Sequence, residues 1–199
     1  MKTLCVSVLA AGVAIAGAGF ARMSAQATPA KITVTSSTLK EGQTMPVDYT
    51  SDGKNVSPPL AWSGAPASTK QFALILDDPN AGRAGMPFVH WVVYKIPGTA
   101  TGLPEGIPAG VTIASGPANG AIQGISGFGG RGRGGAEPPP PVYRGPAPPA
   151  GSGVHNYTFT VYALDTALDL QPGMNKMQLL EAMAGHIVGQ GQLITPYQK

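Results

Sequence analysis

The chain has 199 residues, 28 of them Gly and 20 Pro, with 13 Lys and Arg against 10 Asp and Glu, a formal net charge of +3. Lys2 and Arg22 fall in a leader described below; without them 11 basic residues face 10 acidic ones, a formal +1, so bulk charge gives no basis for nucleic-acid binding. The one cysteine, Cys5, lies in the same leader, which excludes a disulfide scaffold and leaves stability to a buried core.

The first 27 residues, MKTLCVSVLAAGVAIAGAGFARMSAQA, have the three parts of a secretory signal: Lys2, an apolar small-residue run from Leu4 to Phe20, and Ala25-Gln26-Ala27 as a cleavage site. Cleavage after Ala27 predicts a periplasmic or secreted protein. The rival is an uncleaved anchor, but the run is short for a span of about 20 residues and rich in Ala and Gly. No lipobox surrounds Cys5. Residues 28–199 then suffice for one domain with its own core.

Residues 31–50 carry Ile, Val, Thr and Tyr in short alternating pieces, which predicts two strands around a Glu41-Gly42 turn. In SDGKNVSPPLAWSGAP, Asp52-Gly53 signals a turn and Pro58-Pro59 forbids helix and ladder. QFALILDD, 71–78, is a continuous apolar run and predicts a buried strand. PNAGRAGMP reads as a loop. FVHWVVYKIP, 88–97, predicts a covered central strand, with Phe88, His90, Val92, Tyr94 and Ile96 alternating against Val89, Trp91, Val93 and Lys95. GVTIASG is a further short strand candidate.

Residues 127–149 hold seven Gly and seven Pro among 23 and form a low-complexity loop. A loop this long inside a compact domain is usually functional or disordered. HNYTFTVYALD, 155–165, predicts a strand with Tyr157, Phe159, Val161 and Ala163 on one face. Residues 175–191 place Met177, Leu180, Met183 or Ala184, and Ile187 on one helical stripe, with Asn175 as cap and Gly189 or Gly191 as terminator. QLITPY closes the chain as an edge strand. Many strands and one helix argue for an antiparallel β-sandwich of two sheets with a small C-terminal helical part.

Two strand-borne histidines, His90 and His155, and Asp78 at a strand end are placed to line one pocket beside Gly/Pro-rich loops. Imidazoles and loop N–H groups suit an anion with several oxygens, such as phosphate. If both imidazoles must be cationic donors, affinity falls as pH rises past about 6.5. His186, in AGHIVG, reads as structural, and Asp77 as a turn or surface residue.

The block DDPNAG with FVHWVVYKIP resembles the D-P-D-x-P…H-W block of the phosphatidylethanolamine-binding protein family. YRGPAPPAGSGVHNYTFTVYALD resembles its Y-x-G-P-x-P-P…G-x-H-R-Y block. SDGKNVSPPLAWSG and LLEAMAGHIVGQGQLITPYQK are similar to the remaining landmarks of the bacterial Raf-kinase-inhibitor-like branch, in the same order. The resemblance implies a two-sheet sandwich, no catalytic residues, no cofactor, and a pocket for phosphate-like or phospholipid head groups. Carried over by position, that pocket comprises Asp78, His90, His155 and Tyr157, with Pro148 and Pro149 as a wall and Tyr143 at the rim. It also implies inhibition or modulation of another protein as a role, and membrane contact at most through lipid head groups. Asn80, Gly82 and Asn156 stand where the family has Asp, Pro and Arg; if Asn80 and Asn156 face each other, an ion pair has become an amide pair.

Two other classes compete. Asp78, His90 and His155 have the types of a two-histidine, one-carboxylate metal site. The same cluster could serve a hydrolase, although Ser115, Ser126 and Ser152 lie in no nucleophile elbow. The reading retained is a binding protein, not an enzyme, without bound metal.

Overall fold

A computed structural model describes residues 28–83, 85–127 and 141–199. The leader and the centre of the Gly/Pro-rich segment, 128–140, lie outside the described residues. The chain runs β1 (Ala30–Lys31), β2 (Thr33–Thr35), β3 (Leu60–Ser63), β4 (Gln71–Arg83), β5 (Met86–Pro97), β6 (Gly102–Leu103), β7 (Ile122–Gln123), β8 (His155–Leu164), α1 (Lys176–Met183) and β9 (Ile187–Tyr197). A six-stranded sheet has the order β1-β9-β8-β4-β5-β7 and a three-stranded sheet the order β2-β3-β6. All pairings are antiparallel except the short β1–β9 pair.

Strict alternation in β4 and β8 builds two cores from one sheet. Phe72, Leu74, Leu76, Tyr157, Phe159, Val161 and Ala163 face the small sheet and meet Val34, Leu60, Trp62 and Leu103 there. Ala73, Ile75 and Leu164 face the other way, under Leu179 and Met183 of α1. Fully buried side chains such as Leu74 and Phe159 contribute on the order of 1.5–3 kcal/mol each. Trp62 and Trp91 fill the larger core and donate their indole N–H groups to Ala100 O (2.9 Å) and Gln123 Oε1 (2.8 Å).

Several expectations are corrected. In 31–50 the strands end at Thr35; residues 41–45 instead run along the free edge of β9, through Gly42 N to Ile194 O and Met45 N to Pro196 O, both under 3 Å. PNAGRAGMP is not a free loop: β4 continues to Arg83 and β5 begins at Met86, with Pro79 to Gly82 bulged out opposite Pro87. GVTIASG holds only an isolated bridge, Thr112 to Ile122.

The helix is shorter than its pattern. Asn175 caps it as expected, in a reciprocal capping box with Gln178. It stops at Met183, before Gly185 at φ +85°. Ile187–Tyr197 belongs to β9, which pairs with β8 over its length and is not an edge strand. Gly189 and Gly191 terminate nothing. A Cβ on Gly191 would lie 2.0 Å from Ile32 O, so these glycines let the N-terminal segment approach the sheet.

Alternation also fails in β5. Leu76 pairs with Trp91 and Asp77 with Val89, so one extra β5 residue sits at His90. Val89 and Val92 join the helix-side core while Trp91 joins the other. A second extra residue, Lys95, has φ +56° between the Leu74–Val93 and Phe72–Ile96 pairs. The first bulge gives His90 its place on the inner side, against Tyr157.

Candidate functional site

A cavity of about 170 Å³ opens at the ends of β4, β5 and β8 under the segment 141–149. Asp78, His90, Pro148, Pro149, His155 and Tyr157 line it, so the structure brings six of the seven expected positions together. Tyr143 is not at its rim. It is buried in the core, edge-on to Trp91 at 5.5 Å, and donates its hydroxyl to Tyr49 O at 2.6 Å. The sequence reasoning missed Phe88, Ser51 and Arg144 on the lining. Arg144 lies next to Tyr143 in the matched block, but strand patterning does not extend to that segment.

The lid segment is held by local hydrogen bonds. Gly145 N donates to Asn55 Oδ1 (2.8 Å), Ser51 Oγ to Gly145 O (3.0 Å) and Ser51 N to Pro146 O (2.9 Å). A Cβ on Gly145 would sit 2.6 Å from Tyr49 O, so only glycine permits this approach. SDGKNVSPP is thereby a support for the lid. Its bonds position Arg144, whose N–H donates to His90 O (3.1 Å) and whose C=O accepts from His90 Nδ1 (2.7 Å).

That last bond decides the chemistry of His90. A carbonyl only accepts, so Nδ1 carries the proton. Burial holds the imidazole below its usual pKa, outweighing the Arg144 carbonyl and the Asp78 charge that act the other way. The neutral ring therefore keeps a lone pair on Nε2. No hydrogen bond among the described residues engages that atom. Phe88 and Tyr157 stand edge-on to the ring, at 4.9 and 5.2 Å. The Arg144 guanidinium lies 5.7 Å from the Phe88 ring centre.

His155 differs. Its Nδ1 lies 2.7 Å from Asp78 Oδ2 and its Nε2 3.0 Å from Ser152 Oγ. The Ser152 hydroxyl also lies 2.7 Å from Pro149 O, which can only accept, so the hydroxyl proton goes there. Nε2 must then donate to Ser152. Nδ1 faces Asp78 Oδ2, so both ring nitrogens have partners within the protein. Asp78 Oδ1 accepts Asn80 N (2.8 Å) and Ala81 N (3.1 Å), which fits a carboxylate. The phenol of Tyr157, stacked on His155, is pushed above its ordinary range by burial and by Asp78, so it stays protonated.

These bonds weigh on the rival chemistries. Ser152, His155 and Asp78 stand in the order of a catalytic triad, but Nε2 donates and provides no base. His155 likewise has no lone pair free for a metal. Both nitrogens of His155 are engaged within the protein, and neutral His90 keeps only the Nε2 lone pair unengaged among the described residues. Among the described residues, the fixed cation on the lining is Arg144.

The substituted positions have a simple account. Asn80 Oδ1 accepts the main-chain N–H of Asn156 at 2.9 Å. The two positions do face each other, but through side chain and backbone, not as an amide pair. Asn80 retains the acceptor an Asp would offer, without its charge. Asp77 faces the opposite side of the sheet and forms an ion pair with Lys176 in a broader groove. His186 bonds Asp165 at the surface, at 3.1 Å.

A family model described as phosphatidylethanolamine-binding protein matches residues 35–198. A UPF0098 protein of Methanothermobacter thermautotrophicus is 45% identical over 155 residues, covering 78% of this chain and 91% of the relative. A Mycobacterium tuberculosis relative named "Putative lipoprotein LppC" is 36% identical over 168 residues, 84% of this chain and 72% of the relative. The crystal structure of Escherichia coli YbcL, described as a new member of the mammalian PEBP family, is similar with a TM-score of 0.68 at 27% identity, covering 84% of this chain and 98% of that one. No helix among the described residues is long and apolar enough to cross a membrane.

Proposed function

This chain belongs to the phosphatidylethanolamine-binding protein family, and from that premise we propose that it is an exported binding protein whose cavity takes a small phosphate-bearing ligand. The observation that carries the reading is the placement of Arg144 beside His90, Asp78 and His155 around one cavity of about 170 Å³. A guanidinium is the side chain best shaped for a phosphoryl group, and Phe88 holds it by its face. Asp78 and His155 are engaged with each other and form a rigid floor. Pro148 and Pro149 form an apolar wall that limits ligand size. Tyr157 closes the side between the histidines. A role in modulating another protein is compatible with this pocket, which then serves as the ligand-gated or ligand-mimicked surface.

Export is supported by the leader, with its apolar run and A-x-A site, and by the name of the mycobacterial relative. A mature N-terminus at residue 28 in the periplasmic or culture fraction is the expected result; an N-terminus at Met1 on membrane-bound protein overturns it.

Calorimetric titration with inorganic phosphate between pH 5 and 8 tests the pocket. Arg144→Met is expected to weaken binding by about tenfold or more, as loss of a charge-assisted pair does. Its thermal stability should remain that of the wild type, because the Arg144 side chain is exposed and only its backbone supports His90. No anion binding by the wild type anywhere in that range rejects the reading.

A further inference from the structure

Resting on the cavity being a phosphate site, we infer that it selects phosphoryl groups that carry their own proton, phosphomonoesters and inorganic phosphate, over phosphodiesters, with His90 Nε2 as the selecting acceptor. Among the described residues, the cavity has one fixed positive charge, on Arg144. It also has one lone pair without a partner among the described residues, on His90. A monoester in its singly protonated form has one negative charge and one O–H. The charge meets Arg144 and the O–H donates to Nε2. A diester has the same single charge and no O–H. Its oxygen then faces the Nε2 lone pair, and the contact is repaired only by protonating a ring whose burial opposes that charge.

His90 cannot escape by switching tautomer. Moving its proton to Nε2 would set two lone pairs against each other across the 2.7 Å contact with Arg144 O. That carbonyl is held in turn by the Gly145–Asn55 bond and the Arg144–His90 main-chain bond. Among the described residues, the charged and titratable groups around the ring are Asp78 from β4, His155 and Tyr157 from β8, and Arg144 from the lid, with Asp77 acting through space from the opposite face of the sheet. Asp78 is committed to His155 and Asp77 to Lys176, so neither supplies a proton to Nε2. Phospholipids with an esterified head group, such as phosphatidylethanolamine, are diesters. The cavity is therefore tuned to a soluble phosphomonoester, and a lipid head group is its weaker ligand near neutral pH.

Proton counting makes this measurable. The second ionisation of a phosphomonoester lies near pH 6. Above that value the free ligand is a dianion, so forming the complex takes up about one proton; at pH 5 it takes up almost none. The pair to compare is methyl phosphate and dimethyl phosphate, then O-phosphoethanolamine and glycerophosphoethanolamine, which share an ammonium group. Each is titrated calorimetrically into the purified protein from pH 5 to 8, in buffers of different ionisation enthalpy. Monoesters are expected to bind about tenfold or more tightly at pH 7, the usual cost of an unpaired acceptor. Their affinity should be flat below about pH 6 and fall by about a decade per pH unit above it. Nitrogen-15 spectra of the free protein at pH 7 should show His90 protonated on Nδ1 alone. His90→Phe, which removes the acceptor, should abolish the preference; the spectra and proton counts need only the wild type and stand even if that variant folds poorly. Equal affinity for both esters at pH 7, or a proton on Nε2 in the free protein, overturns the inference and leaves the phosphate site standing. Binding of none of the four ligands overturns both.

Discussion

Two walls of one cavity each present a buried histidine, and they differ in what they leave for a ligand. On the β8 wall, His155 spends both nitrogens, on Asp78 and Ser152. On the β5 wall, His90 spends one, on Arg144 O. Both residues are 5% exposed, so burial does not separate them. Hydrogen-bond polarity does: on the proposed function, a ring with two partners is scaffold and a ring with one is a reader. The comparison teaches that a histidine in a pocket says little until the partner of each nitrogen is known.

The largest test of this contrast is Asp78→Ala. It removes the acceptor of His155 and of the Asn80 and Ala81 amides together. The loss should be about 3–5 kcal/mol in urea unfolding, the cost of breaking a buried pair by deleting one partner. His90→Phe is expected to cost less, about 1–3 kcal/mol, since it strands one carbonyl and leaves the ring's aromatic neighbours packed. If His90→Phe costs more than Asp78→Ala, the assignment of scaffold and reader is reversed.

A pH series sharpens the contrast. The folded state holds the His90 pKa below its unfolded value. Below about pH 6.5 the unfolded chain therefore binds more protons at this site than the folded one. Stability from His90 is fully present above that pH and is lost as pH falls toward the folded value. Wild-type stability should drop more steeply from pH 6.5 to 5 than that of His90→Phe; parallel curves reject the neutral ring. Ser152→Ala is the smallest change, about 1 kcal/mol, because Ser152 is itself exposed and water can replace its hydroxyl. Ligand affinity should not follow it.

Much of the site was legible in the residues. Asp78, His90, His155, Tyr157, Pro148 and Pro149 were all placed on one pocket by their position in matching blocks. Tyr143 was misplaced because a block gives order along the chain and not the side on which a ring packs. Arg144 escaped because nothing periodic marks an irregular lid. Ser152 was dismissed for lacking an elbow, and its contact with His155 is a turn contact three residues apart. The C-terminal helix was overextended because Gly189 and Gly191 read equally as helix terminators or as strand residues under a close neighbour; only the Ile32 backbone above them distinguishes the two.

What the sequence determined by itself is whatever repeats locally. The continuous apolar run of 71–78 specifies a buried strand, and the period-two pattern of 155–165 specifies a strand and its inner face, because successive side chains must alternate across any sheet. The capping box at Asn175 is equally local. Tertiary structure alone decided the bulge that carries His90 inward, the end of the helix at Met183, and the polarity of both imidazoles. Each of these depends on which group stands across a distance of about 3 Å from a distant part of the chain, as Arg144 does from His90. A hydrogen bond's direction belongs to the pair, and no single residue type carries it.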